Sequence, residues 1–199
     1  MNLNEIFNHA LNSLTSPTKT ANELVKKKLE LGDGALAVVL GALVPAVIWA
    51  VVLLVLGTWA WMFVSSMPMM GWTAMMGPAV ATIVAISILI GLPIGALIGW
   101  FIATIIIWVV ASALGGKGDY PKFATTLAFP MAAILALSWI PLLNILIALY
   151  GFYLLYVFLQ PTMKMDSNKA LLTVVALFII WLVCSALFGG AAMWSLPPR

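Results

Sequence analysis

The sequence predicts an all-α fold, a polytopic membrane helix bundle with five transmembrane spans and N-terminal amphipathic interfacial helices, and three observations carry that expectation. Hydrophobic residues make up 64% of the 199 positions and charged residues only 8%, a balance that a soluble globule of this length could not keep in water. The mean hydropathy of +1.16 is spread over several runs, each near the ~20 apolar residues that cross a ~30 Å hydrocarbon core. Ahead of those runs stands a mixed segment with helical periodicity and a lysine cluster. The expected organisation is therefore a cytoplasmic amphipathic interfacial region over residues 1–34 and a five-span membrane domain over residues 35–199.

In the N-terminal segment, Leu3, Ile6, Phe7, Ala10, Leu11 and Leu14 share one helical face, opposite an Asn-rich one. Ser16 and Pro17 supply an N-cap and first-turn pair for a second helix. That helix sets Ala21, Leu24, Val25 and Leu29 against Lys26, Lys27 and Lys28, with Gly32 and Gly34 as its expected stop. A secretory signal would place its apolar core closer to the start, so this end is expected to be retained. Lysines beside an apolar stripe suit the interface, where they meet anionic lipid headgroups. They also fix topology, which is the plainer reading.

The first span falls within Ala35 to Val64, and Ser65 to Gly77 reads as an outer loop or interfacial segment. Pro78 to Leu114 would measure roughly 55 Å as one helix, enough for one span or two. Lysine placement decides, because short cytoplasmic loops collect Lys and Arg. With one crossing, Lys19, Lys26, Lys27, Lys28, Lys117, Lys122, Lys164 and Lys169 lie inside and only Arg199 outside; with two, the bias disappears. One crossing requires Pro78 to Ile90 to lie in the interface or against other helices, with a bend near Pro93. Phe123 to Ile140 and Leu142 to Gln160 then form a hairpin around Pro141, Pro161 stops the fourth span, and Ala170 to Gly189 returns outward. The N-terminus is thus expected in the cytoplasm and the C-terminus outside a cell membrane. Trp59, Trp61, Trp72, Trp139 and Trp194 would form an outer aromatic belt, with Trp49, Trp100, Trp108 and Trp181 packed deeper.

Ser87, Gly91, Gly95, Gly99 and Ala103 recur every fourth residue, the pattern of a helix-packing stripe. A pore or hinge could use the same glycines. Catalysis finds little material: no acidic residue falls in an expected span, and the sole histidine, His9, sits on an interfacial helix far from any partner. No cofactor is expected. Cys184 reads as a small buried packing residue. Gly115-Gly116-Lys117-Gly118-Asp119 lacks the full phosphate-loop pattern and follows a membrane helix, so it reads as a turn. Clustered thioethers suit Cu(I), and Met62, Met67, Met69, Met70, Met75 and Met76 form the one metal candidate. No His or Cys reinforces them, and methionine also fills apolar interfaces.

The second half of the chain adds a family likeness. Gly115-Gly116-Lys117-Gly118-Asp119-Tyr120 closing a span, Lys122-Phe123, Pro130 inside the third span, a tyrosine-rich fourth span, and Met163-Lys164-Met165-Asp166-Ser167-Asn168-Lys169-Ala170 resemble the Yip1-domain membrane proteins. The likeness runs from Ala35 to Gly189 and is strongest from Gly115 to Leu172. It implies five spans and a cytoplasmic N-terminus. The chain departs from the eukaryotic members in lacking their Asp-Leu-Tyr-Gly-Pro motif, and Phe158 stands where many relatives carry glycine. It looks like the compact prokaryotic branch, so the Rab association of the eukaryotic members is not carried over.

The leading expectation is a non-enzymatic scaffold or adaptor that organises lipid or partner proteins at the cytoplasmic face through Lys26, Lys27, Lys28, Lys117, Asp119, Lys122, Lys164, Asp166 and Lys169. A small permease or channel is the alternative, and an outer copper-binding protein the third reading. The expected partners are the bilayer, anionic headgroups, other membrane proteins or a second copy, and no nucleic acid.

Overall fold

A computed structural model describes residues 1–65 and 71–194 in backbone and, except at 58–65, 71–78, 142, 144 and 186–194, in side chains. The chain forms α1 (Leu3–Thr15), α2 (Pro17–Lys26), α3 (Leu31–Ser65), α4 (Gly71–Ala113), α5 (Tyr120–Leu137), α6 (Asn144–Met163) and α7 (Ser167–Trp194). A 3-10 turn at Pro141–Leu143 joins α5 to α6 where the hairpin was expected. The five helices α3 to α7 are long and apolar enough to cross a membrane.

Local chemistry sets the boundaries. Asn2 caps α1: its side chain accepts from the Glu5 N–H at 2.8 Å while the Glu5 carboxylate accepts from the Asn2 N–H at 3.4 Å. Pro17 opens α2 as expected, but the Ser16 hydroxyl makes no cap. Instead the Ser16 carbonyl accepts from the Thr20 hydroxyl at 3.0 Å. α2 stops at Lys26, because Lys27 turns extended, and the expected stop residues Gly32 and Gly34 lie inside α3. The expected boundary at 34/35 likewise falls within α3. Asp33 also enters this helix, contrary to the expectation of no acidic residue in a span. Its carboxylate meets the Met1 ammonium at 3.1 Å.

α4 corrects the reading of the middle of the chain. Gly71 to Gly77, expected in an outer loop or interfacial segment, are helical, and the helix continues through Pro78 and Pro93 to Ala113 as one element. Its 43 residues measure roughly 64 Å. A proline removes one backbone donor, and in membrane helices packed neighbours compensate; α4 lies chiefly along α3, with Pro93 buried. Pro161 does not stop α6 either, since the helix runs on to Met163. There the ring forfeits a single bond in the last turn.

α5 occupies the centre. Every residue from Phe123 to Pro130 is buried, and α1, α2, α3, α4 and α6 all pack against it. Thr125 satisfies its hydroxyl within the helix by donating to the Pro121 carbonyl at 2.7 Å, whereas the buried Thr126 hydroxyl has no partner among the described residues. Trp100 of α4, fully buried, donates its indole N–H to the Ala124 carbonyl at 3.2 Å. Trp108 is half-buried as expected, whereas Trp49 and Trp181, expected between helices, are 39% and 54% exposed. Trp139 is 37% exposed; the side chains of Trp59, Trp61, Trp72 and Trp194 lie outside the described residues. Cys184, expected to be buried, is exposed.

The close helix contacts do not use the glycine stripe. A Cβ built on Gly91, Gly95 or Gly99 meets nothing within 4 Å, whereas one on Gly41 of α3 would lie 2.6 Å from the Ala132 Cα of α5. The inward row of α4 is Ala85, Pro93, Trp100, Thr104 and Ala111. Gly99 sits one residue from Trp100 and Gly91 and Gly95 two residues from Pro93, roughly 100° and 160° around the helix from that row. They face outward. Accordingly, Gly41→Ala should lower the unfolding free energy in detergent by about 1–3 kcal/mol, the usual cost of overpacking. Gly95→Ala should be neutral or raise it by up to about 1 kcal/mol through helix propensity. Equal losses at both positions would contradict this assignment of the seam.

Candidate functional site

The charged positions singled out from sequence gather at the end of the bundle where α4 leaves, α5 starts, α6 ends and α7 begins. α4 stops in a Schellman arrangement: the Gly116 N–H donates to the Ala111 carbonyl at 2.9 Å and the Gly115 N–H to that of Ser112 at 3.0 Å. Gly115 takes the left-handed φ of 94° that this stop requires. The expected turn is therefore present. α6 ends in a related way, with the Met165 N–H donating to the Gln160 carbonyl at 3.0 Å. Here the left-handed position, φ 51°, is held by Lys164, the one non-glycine with positive φ among the described residues. For a residue with a Cβ that conformation costs roughly 1–2 kcal/mol.

The two stops are fastened to each other. The Lys117 N–H donates to the Met163 carbonyl at 2.7 Å, and the Trp108 indole donates to the Gly118 carbonyl at 2.9 Å. A Cβ on Gly118 would strike the Thr162 carbonyl, and one on Gly116 would come 2.9 Å from the Met163 side chain. The glycines are thus what let this loop lie on α6. Asp166 caps α7, accepting from the Lys169 N–H at 2.9 Å. The Lys169 ammonium would stand 3.5 Å from a Cβ on Gly115, beside the negative end of α4.

Lys117, Asp119, Lys122, Lys164, Asp166 and Lys169 are all exposed. None joins an ion pair; among the described residues the pairs are Met1 with Asp33 and Lys19 with Glu23. Lys26, Lys27 and Lys28 are exposed as well, but Lys27 is engaged. Its ammonium lies 2.8 Å from His9 Nε2.

That contact corrects the expectation for His9, which is 9% exposed and meets Phe129 edge-on at 5.9 Å. Sequence spacing could not show it, because the partners come from α5 and the α2–α3 link. The apolar stripe of α1 is split accordingly: Ile6 is buried, while Leu3, Phe7 and Leu11 are 61%, 64% and 45% exposed. An ammonium donating to Nε2 leaves the ring proton on Nδ1, an atom without a partner. Burial, then the Lys27 charge, hold the His9 pKa below its ordinary value, against weaker opposing pulls from Glu23 and Glu5.

Met67, Met69 and Met70 lie outside the described residues, as do the side chains of Met75 and Met76. Gly91, Gly95 and Gly99 lie away from the charged end, where Gly91 and Gly95 border an apolar cavity of about 420 Å³ with Trp49 and Leu135.

Five apolar helices, the most buried of them at the centre, capped at one end by unpaired charges, define a multi-pass membrane helix bundle. The family model of the Yip1 domain matches residues 11–188. The chain belongs to the Yip1 domain family. No curated protein and no solved structure was found similar to it. The match takes in α2 and the end of α1, so it begins well before the Ala35 at which the motif likeness started.

A depressed histidine pKa favours the neutral ring, so its contribution to folding is complete above about pH 6.5 and is lost as pH falls below that value toward the folded pKa. Protection of α1 amides against hydrogen exchange, corrected for intrinsic rate, should therefore drop between pH 7.5 and pH 5. His9→Gln should flatten that dependence, and an unchanged acid response in the variant would remove His9 as its source.

Proposed function

We propose that this protein is a non-enzymatic integral membrane scaffold or adaptor that organises partner proteins and lipid at its cytoplasmic face. The observation carrying this reading is the pair of interlocked helix stops that hold Lys117, Asp119, Lys122, Lys164, Asp166 and Lys169 outward with no ion pair among them. Rigid, unpaired charges of both signs suit selection of a complementary surface. The lysine bias assigns this end, and the N-terminus, to the cytoplasm, and the C-terminus to the outside. Lys26 and Lys28 are exposed and would meet anionic headgroups, and Leu3, Phe7 and Leu11 of α1 are exposed apolar residues that suit the bilayer. The outward glycines of α4 leave a face on which another membrane helix or a second copy could approach closely. The cavity beside Gly91 and Gly95 is lined by apolar residues apart from Ser138. That lining does not suit a polar substrate, which favours the scaffold.

Orientation is tested by thiol labelling in a Cys184→Ser background. Asp119→Cys and Ser167→Cys should react from the cytoplasmic side and Leu143→Cys from the other; the opposite pattern would overturn the assignment. A photoreactive group at position 119 should trap neighbouring proteins in native membranes, and trapping should fall several-fold when Lys117, Lys122 and Lys164 are reversed to Glu. Undiminished trapping would sink the charge-based reading. Lys164→Gly separates shape from charge: release of left-handed strain should raise stability in detergent by about 1 kcal/mol, while trapping declines.

A further inference from the structure

The outer face of α6 changes character along its length. Counted away from the charged end it presents Gln160, Tyr156, Tyr153, Leu149 and Leu146, one helical row. Tyr153, Leu149 and Leu146 are 47%, 58% and 62% exposed. α2 walls the polar part, where Thr18 and Asn22 face Tyr153, Tyr156 and Gln160 across a cavity of about 320 Å³. The end of α1 walls the apolar part, where Leu14 faces Ile134, Leu143 and Leu146 across a second cavity of about 340 Å³. Tyr153 lines the first cavity and Tyr150 the second, and their ring centroids are 5.6 Å apart. The Tyr150 hydroxyl donates to the Leu14 carbonyl and ties α1 to α6.

We infer that this groove binds one anionic glycerophospholipid, its phosphate headgroup among Thr18, Asn22, Tyr153 and Gln160 and an acyl chain along Leu149 and Leu146. Length fits: the helix rises roughly 21 Å from Leu146 to Gln160, about half of the ~40–45 Å bilayer including headgroups. Chemistry fits as well. The Asn22 amide donates to the Thr18 carbonyl at 2.9 Å and the Gln160 amide to the Tyr156 carbonyl at 3.4 Å, so each keeps a second N–H. With the Thr18 and Tyr153 hydroxyls these donors converge on the cavity, as a phosphate ester requires. Charge sets the preference. Lys26 stands one turn beyond Asn22 on the same face of α2 and Lys164 directly follows α6, whereas Lys19 is turned to Glu23 at 4.0 Å. The inference deepens the scaffold reading by naming a lipid class, and rests on it only for which leaflet supplies the lipid.

The test uses the full chain, delipidated in neutral detergent and titrated with phosphatidylglycerol, phosphatidylcholine or inorganic phosphate under native mass spectrometry. Saturation at one lipid per chain is expected, several-fold tighter for phosphatidylglycerol than for phosphatidylcholine, with no competition from inorganic phosphate. Asn22→Leu combined with Gln160→Leu should weaken binding at least tenfold, Lys26→Gln should narrow the gap between the two lipids, and Gly32→Ala should change neither. Should the double variant lose helicity, Thr18→Val and Tyr153→Phe each serve in its place, with a several-fold loss expected. Non-saturating uptake, equal binding by the folded variants, or displacement by inorganic phosphate would overturn the site. Detergent has no sidedness, so this outcome is independent of the labelling result, and its failure would leave the loop-based reading standing.

Discussion

The spacing between α3 and α5 is set where backbone meets backbone. Gly41 has no side chain to hold Ala132 away, and Gly34 does the same two turns earlier against Thr125 and Ala128. With α5 drawn in this far, its polar groups are cut off from water: Thr125 bonds back to its own helix and Trp100 reaches the Ala124 carbonyl, while the Thr126 hydroxyl is left without a partner among the described residues. The least apolar of the five spans is thereby also the most buried. Uniform apolarity marks the helices that face lipid, while small and hydroxylated residues mark the one surrounded by protein.

On this core the N-terminal helices act as a flank rather than an appendage. α1 lies against α5 through Ile6, His9 and Ser13, and α2 against α6 through its buried Ala21 and Leu24. The contact of His9 with Lys27 closes the two helices on each other. At the same end the Gly115 and Lys164 stops interlock, so the charged positions of both loops share one rigid mount.

Much of this was legible in the sequence. Span number followed from apolar runs and lysine bias, the turn at Gly115 from its glycines, and the family from short motifs around Lys117 and Asp166. What escaped was decided by neighbours distant in sequence. The Gly91, Gly95 and Gly99 period is the same whether a helix faces a partner within the chain or the space outside it, and only the position of Trp100 shows which. Pro161 carries a helix-stop signal that a single lost bond in the last turn does not enforce. The burial of His9 depends on Phe129 and Lys27, which no local pattern joins to it. The capping box of Asn2 and Glu5, by contrast, is a local pattern that needs no distant neighbour, set among the other asparagines of α1.

The two hairpins of the bundle also differ in length. α5 and α6, with 18 and 20 residues, rise roughly 27–30 Å, against roughly 64 Å for α4. No flat slab of uniform thickness matches both. Around the perimeter the surrounding lipid therefore meets uneven demands: relaxed beside the short α6, and tilted or locally stretched beside the long α4, at fractions of a kcal/mol per Å. A protein built this way carries its own elastic imprint into the bilayer, and two such imprints attract or repel according to which sides face each other.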